Sequence, residues 1–139
     1  MTPVARSPLD CPCFRIAAGD TNYFVILADP PGDGAPFVSV VEIFEPGGRT
    51  PPNTHATAWE QFVVLRGAGV ARSGGTATAV RQGDVLVVPP GHEHTLENTG
   101  LGKLYCLTTM MPDEGFAALI RRGVPTVLDA EDRMVLAGL

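Results

Sequence analysis

Short apolar runs, each stopped by glycine or proline, organise this chain. "NYFVILA" predicts a strand at about 22–28, ended by "DPPGDG", a turn or flexible surface loop. "FVSVVEIFEPGG" predicts the next strand, stopped at Pro46-Gly47-Gly48. "WEQFVVLRGAGVARSGG" carries a strand through Leu65, a break at Gly67 and another strand from Gly69 to Ser73. Ser73-Gly74-Gly75 closes a hairpin into "TATAV". "DVLVVPPG" is a short strand running into a Pro-Pro-Gly corner, and "HTLEN" and "KLYCLTTMM" follow. Evenly spaced strands of this kind predict an all-β domain, a single barrel or sandwich.

One stretch departs from the strand pattern. In "PDEGFAALIRRG", Phe116, Leu119 and Ile120 share one helical face. Asp113 and Glu114 suit a first turn, Arg121 and Arg122 a last turn, and Gly123 a stop. "AEDRMVLAGL" predicts another short helix. Both are expected against the sheet face or at a barrel mouth. The expected organisation is one domain over 1–139, with an N-terminal arm at 1–20, a barrel at 21–111 and a helical C-terminal segment at 112–139.

Period-two alternation also sorts the polar residues. Asn53 and His55, and Thr57 if the segment stays extended, point to one side. If Glu60 faces inward with them, so do Phe62 and Val64, giving a polar site above an apolar floor. Trp59, Val63 and Leu65 then face outward. That outward apolar row needs cover from the terminal segments or from a second subunit, which argues for a homodimer. His92 and His94 form a second pair just after the Pro-Pro-Gly corner. All 3 histidines of the chain fall in these two segments. Imidazole and carboxylate together suit a divalent ion such as iron, manganese, nickel, cobalt or zinc.

Bulk composition narrows the classes. The chain has 139 residues, 45% hydrophobic and 18% charged, enough for one core that needs no disulfide staples. A net charge of −5 argues against a nucleic-acid partner, and Arg121-Arg122 is the lone adjacent basic pair. Three cysteines cannot all pair within one chain. Cys11 and Cys13 read as ordinary thiols and Cys106 as a small buried hydrophobe. With no signal-peptide pattern and no apolar run long enough for a membrane span, a cytoplasmic location without a membrane partner is the expectation.

Two motifs resemble those of the cupin family. The first runs through Gly47, Asn53, His55, Glu60 and Gly67, the second through Gly83, Pro89, Gly91, His94 and Asn98. The resemblance implies an antiparallel jelly-roll barrel (a double-stranded β-helix), a metal inside it, and a tendency to dimerise. It carries metal ligation over to His55, Glu60 and His94. One position departs from the family pattern: Asn53 stands where the first metal-binding histidine is expected. Its amide is a weak ligand, or it holds a metal-bound water or orients substrate.

Other residues carry open alternatives. His92 is a further imidazole ligand, an acid–base residue or a mouth-lining side chain. Tyr105 is a donor to a substrate oxyanion or a core residue, and its neighbour Cys106 is an equal candidate for the cavity while the register is open. Phe24, Phe37, Phe44, Phe62 and Met110 line the cavity or fill the core. Glu42 and Arg49 are expected to face solvent, with Arg49 able to receive a substrate carboxylate. The motif glycines are turn devices, and Asn98 bridges a turn through its amide.

Three functions follow, because a barrel of this kind does not dictate its chemistry. The first is a metal-dependent enzyme acting on a small organic molecule, an iron-type mononuclear oxygenase or a lyase. The second is an isomerase, epimerase or dehydratase, zinc-dependent or metal-free, working by histidine acid–base chemistry. The third is a non-enzymatic small-molecule-binding protein.

Overall fold

The computed structural model describes residues 2–139. Its strands are β1 (Cys13–Arg15), β2 (Asn22–Ala28), β3 (Val38–Phe44), β4 (Trp59–Arg66), β5 (Ala68–Ser73), β6 (Thr76–Arg81), β7 (Val85–Val88), β8 (Thr95–Asn98), β9 (Leu104–Met111) and β10 (Val124–Pro125). Three helices join them: α1 (Pro30–Asp33), α2 (Phe116–Arg121) and α3 (Ala130–Ala137). The strands pair antiparallel into a 7-stranded sheet, ordered β10-β1-β2-β3-β9-β4-β7, and a 3-stranded sheet, ordered β6-β5-β8. The large sheet turns its inner face toward the small one, as in a jelly roll.

Alternation along each strand decides what enters the barrel. On β4, Glu60, Phe62 and Val64 are buried, whereas Trp59 is 57% exposed. Between the sheets, Phe44, Phe62, Val64, Leu96, Leu104 and Cys106 form one core cluster. Toward the open end, Phe24, Ile26, Val38, Val40 and Met110 form another, which α2 caps with Ala117 and Ile120. The outer face of the large sheet has its own core. There Tyr23, Val25, Val41, Ile43 and Tyr105 pack beneath Val135 and Leu136 of α3, with Leu65 against them. The terminal segments thus cover part of the outward row of β4. Trp59, Val85, Val87 and Met111 remain exposed.

Helix α3 is fastened by a buried carboxylate. Asp129 and Asp132 form a reciprocal capping box at its start. Asp132, fully buried, also accepts hydrogen bonds from the hydroxyls of Tyr23 (2.7 Å) and Tyr105 (2.7 Å) and from Lys103 Nζ (3.1 Å). Two turns depend on similar polar ties. Asn98 Nδ2 donates to the carbonyls of Phe44, Glu45 and Gly102, and Asn98 Oδ1 accepts from the amide of Gly100. Gly67, between β4 and β5, has a φ of +98°, and a Cβ there would lie 2.7 Å from the Lys103 carbonyl.

Local structure settles one open alternative and corrects the reading at two places. "DPPGDG" is a turn rather than a flexible loop. Pro30–Asp33 forms one helical turn, capped by Asp29, whose carboxylate accepts from Gly32 N (2.9 Å) and from Arg121 Nε (2.6 Å). Asp113 and Glu114 precede α2 rather than forming its first turn, because Glu114 (φ 52°) and Gly115 (φ 80°) are both left-handed. Asp113 still caps from outside, accepting from Ala117 N at 2.9 Å. Finally, the first twenty residues are more than an arm, since β1 pairs with both β2 and β10.

Candidate metal centre

The two histidine-bearing segments meet through backbone pairing. Asn53 and His94 form an isolated antiparallel bridge, with Asn53 N–H donating to His94 O (3.1 Å) and His94 N–H to Asn53 O (2.9 Å). The amide of Gly91, at the Pro-Pro-Gly corner, donates to His55 O at 2.8 Å. These ties hold the loop before β4 against the segment leading into β8. They bring His55 and His94 into contact, with ring centroids 5.4 Å apart.

Glu60 completes the cluster from β4. Its Oε1 lies 2.7 Å from His94 Nε2 and 3.3 Å from His55 Nε2. The donor atoms of these three residues all lie within 4.8 Å of one another. His94 Nδ1 lies 3.0 Å from the carbonyl of His92 and Nε2 2.7 Å from Glu60, so the ring donates from both nitrogens when protonated. Loss of the Nε2 proton, with Nδ1 still donating to the carbonyl, frees the Nε2 lone pair for a metal. Burial alone would push the Glu60 carboxyl up, but the hydrogen bonds with His55 and His94 outweigh it and hold its pKa below the ordinary value. For His94, burial acts to lower the pKa, and the hydrogen bond with Glu60 overrides it, so the net direction is upward. Two imidazoles and a carboxylate, convergent and largely shielded from water, fit a divalent transition metal.

The cluster opens on a cavity of about 740 Å³, lined among others by Phe24, Phe62, Met110, Asn53 and Arg49, and by Phe116 and Leu119 from α2. Such a volume suits a small organic ligand. Asn53 lines it, and Arg49, though exposed, stands in its wall.

Other candidates lie elsewhere. Tyr105 faces the opposite side of the sheet, where its hydroxyl is spent on Asp132; strand alternation puts Cys106, not Tyr105, inside the barrel. His92 is exposed and absent from the cavity wall, its Nδ1 lying 3.0 Å from the Pro90 carbonyl. Its two-residue spacing from His94 does not put both in the cavity because the bridge of His94 to Asn53 turns only the latter inward. Thr57 is also exposed, since a bend at Ala56–Thr57 ends the alternation that Asn53 and His55 share.

Glu42 is the residue that sequence reasoning misplaced. It is 3% exposed and lines the cavity instead of facing solvent. A signal existed in "VSVVEIF": its neighbours are apolar on both alternating faces, so neither face of that strand is available to water.

The cupin-domain family profile matches residues 40–110, the stretch that contains the whole cluster. The chain belongs to the cupin family. A germin-like protein from Mesembryanthemum crystallinum is 36% identical over an alignment 95 positions long, which covers 60% of this chain and 41% of that relative. The match thus spans less than half the length of that relative. Among solved structures, a protein described as a predicted oxalate decarboxylase from Thermotoga maritima superposes with a TM-score of 0.68 at 23% identity, covering 79% of this chain and 99% of that one. A cupin 2 conserved barrel domain protein from Salinispora arenicola gives 0.61 at 20% identity, covering 88% and 94%. A cupin-superfamily sugar phosphate isomerase from Silicibacter pomeroyi gives 0.61 at 21%, covering 78% and 67%. At these identities the structural likenesses establish the fold of this cupin and leave its chemistry to its own residues. Among the described residues, no helix is long and apolar enough to cross a membrane.

Proposed function

We propose that this cupin is a mononuclear metal enzyme acting on a small organic molecule, an oxygenase or a lyase, with His55, Glu60 and His94 as the metal ligands. The observation that carries the reading is the convergence of three donor atoms within 4.8 Å at the wall of a ligand-sized cavity. Iron is the first choice for a two-histidine, one-carboxylate set; manganese, nickel, cobalt and zinc are compatible with the same donors. Such an ion supplies a Lewis acid with adjacent open positions for a chelating substrate or oxygen.

The chain's own residues do the rest. The His92 carbonyl fixes the tautomer of His94. Phe24, Phe62 and Met110 give the cavity wall an apolar part against which the substrate's carbon skeleton would pack. Asn53 presents its amide beside the cluster, where it orients substrate or a water molecule. Arg49 stands in the wall as the cation for a substrate carboxylate.

The asparagine itself favours a second reading, acid–base isomerisation, epimerisation or dehydration with zinc or without metal. There His94 exchanges the proton and the Asn53 amide steadies the oxyanion. We also propose a homodimer in which a second copy covers Trp59, Met111, Val85 and Val87. These side chains are exposed beside β7, which is a free edge of the large sheet.

The deciding experiment is metal content by elemental mass spectrometry on untagged protein purified anaerobically, beside His55→Ala. About one equivalent of transition metal, lost in the variant, supports the metal enzyme, and oxygen uptake with small chelating acids and diketones then separates oxygenase from lyase. Neither protein binding ferrous, manganous or zinc ions would sink it in favour of metal-free catalysis or simple ligand binding.

A further inference from the structure

Glu42 lies apart from the metal-ligand set, and no role follows for it from that set. It projects from β3 into the barrel between Phe24 of β2 and Cys106 of β9, its register partners. Only 3% of it is exposed, yet it forms part of the cavity wall. Its one hydrogen bond among the described residues comes from Asn22 Nδ2 to Oε2, at 2.9 Å. No lysine, arginine or histidine pairs with it there. Oε1 is left without a protein partner.

A carboxyl so placed is costly in a purely structural role, because an apolar residue would fill the site without the desolvation penalty. Burial first, and the nearby Glu60 charge second, push its pKa up to about 8 despite the Asn22 hydrogen bond. In its protonated form it offers an O–H donor beside a carbonyl acceptor. The other charged groups in the wall are Asp20, Glu114 and Arg49, with His55, Glu60 and His94 at the metal-ligand cluster. The Asp20 carboxylate is engaged by the amide of Ala17 and that of Glu114 by the amide of Ala58. Each of the three carboxyls thus accepts on one oxygen, but Asp20 and Glu114 are exposed to water, whereas Glu42 is buried and its second oxygen has only the cavity to meet.

We propose that Glu42, braced by Asn22, is a specificity residue that receives an alcohol hydroxyl of the ligand, apart from the ligand atoms held at the metal centre. An alcohol both donates and accepts, matching a neutral carboxyl. A methyl would leave that carboxyl unsatisfied, and an ammonium would require it to ionise while buried. The ligand class is a small hydroxylated acid: one part is held at His55, Glu60 and His94, and the hydroxyl is read by Glu42. The inference rests on the metal-centre reading for the first of those contacts.

The test uses three acids of equal chain length: 6-hydroxyhexanoate, hexanoate and ε-aminocaproate. They differ only at the far end, which carries a hydroxyl, a methyl or an ammonium. Binding is measured by calorimetry on the protein as purified, with metal content determined on the same samples. 6-Hydroxyhexanoate is expected to bind about tenfold or more tightly than either competitor, the worth of one satisfied buried hydrogen bond. Glu42→Gln, which still donates and accepts, should keep the ranking. Glu42→Leu should erase it without loss of metal, and Glu42→Met serves in its place if the leucine variant does not fold. Equal binding of 6-hydroxyhexanoate and hexanoate, preference for the ammonium, or an intact ranking in the apolar variants overturns the proposal. If instead the metal reading fails, metal is absent while the ranking persists, so the two failures are distinguishable.

Discussion

His94 Nε2 and Glu60 Oε1 lie 2.7 Å apart although they are carried by segments of different sheets. Glu60 sits on β4 of the large sheet, and His94 leads directly into β8 of the small one. The cluster is therefore a seam between sheets, and its geometry depends on how they close. Replacing Glu60 removes the one anionic donor and the hydrogen-bond anchor of both imidazoles. Glu60→Gln should lower metal occupancy at least about tenfold, and Asn53→Ala far less. Elemental analysis after equilibration with limiting metal measures both; equal occupancy in wild type and Glu60→Gln would remove Glu60 from the ligand set.

Glu42 links stability to pH. Its folded-state pKa of about 8 lies above the ordinary 4.5, so over that interval the folded chain holds a proton that the unfolded chain releases. Stability from this group is greatest in acid and falls as pH rises through that window. Glu42→Gln removes the dependence. The melting temperature of the variant relative to wild type should climb steadily from about pH 5 to pH 8. A constant difference across that range would mean that Glu42 is already ionised at neutral pH.

The Asp132 junction is structural, and Tyr105 belongs to it. Asp132→Ala leaves two phenols and a lysine without their shared acceptor and should cost about 3–5 kcal/mol in denaturant unfolding. Tyr105→Phe removes one of those hydrogen bonds and should cost about 1–2 kcal/mol while ligand and metal binding stay at wild-type levels. A Tyr105→Phe protein that is fully stable but loses ligand binding would return the phenol to the site.

Asn98 makes a stability prediction of a different kind. Its amide ties three carbonyls from two loops, so no single backbone group can replace it. Asn98→Ala should cost about 2–4 kcal/mol, read from urea unfolding, with little change in metal affinity for the protein that remains folded.

Trp59 tests the dimer. Trp59→Lys puts a charge on the exposed apolar face beside β7. The wild type should run as a dimer by light scattering and the variant as a monomer. A monomeric wild type would leave that face uncovered and end the dimer proposal.

Much of this architecture is legible in the linear chain because strand alternation and turn chemistry are local. Glycine and proline mark the ends of β3 and the hairpin between β5 and β6, and the period of two puts Glu60, Phe62 and Val64 on one face. The motif spacing singles out His55, Glu60 and His94, and the fold brings those three together. Tertiary structure decided what local rules leave open. Tyr105 and Cys106 are adjacent on one strand, and only pairing with β3 and β4, together with the seat of α3, assigns one to the outer core and the other to the barrel. His92 and His94 share a parity, but the backbone bridge to Asn53 selects His94 alone. Glu42 stands among apolar neighbours on both alternating faces, a local sign of burial, but only the closed barrel puts its carboxyl in the cavity wall. Each of these outcomes depends on contacts between residues distant in sequence, whose energies exist only once the sheets have closed on each other.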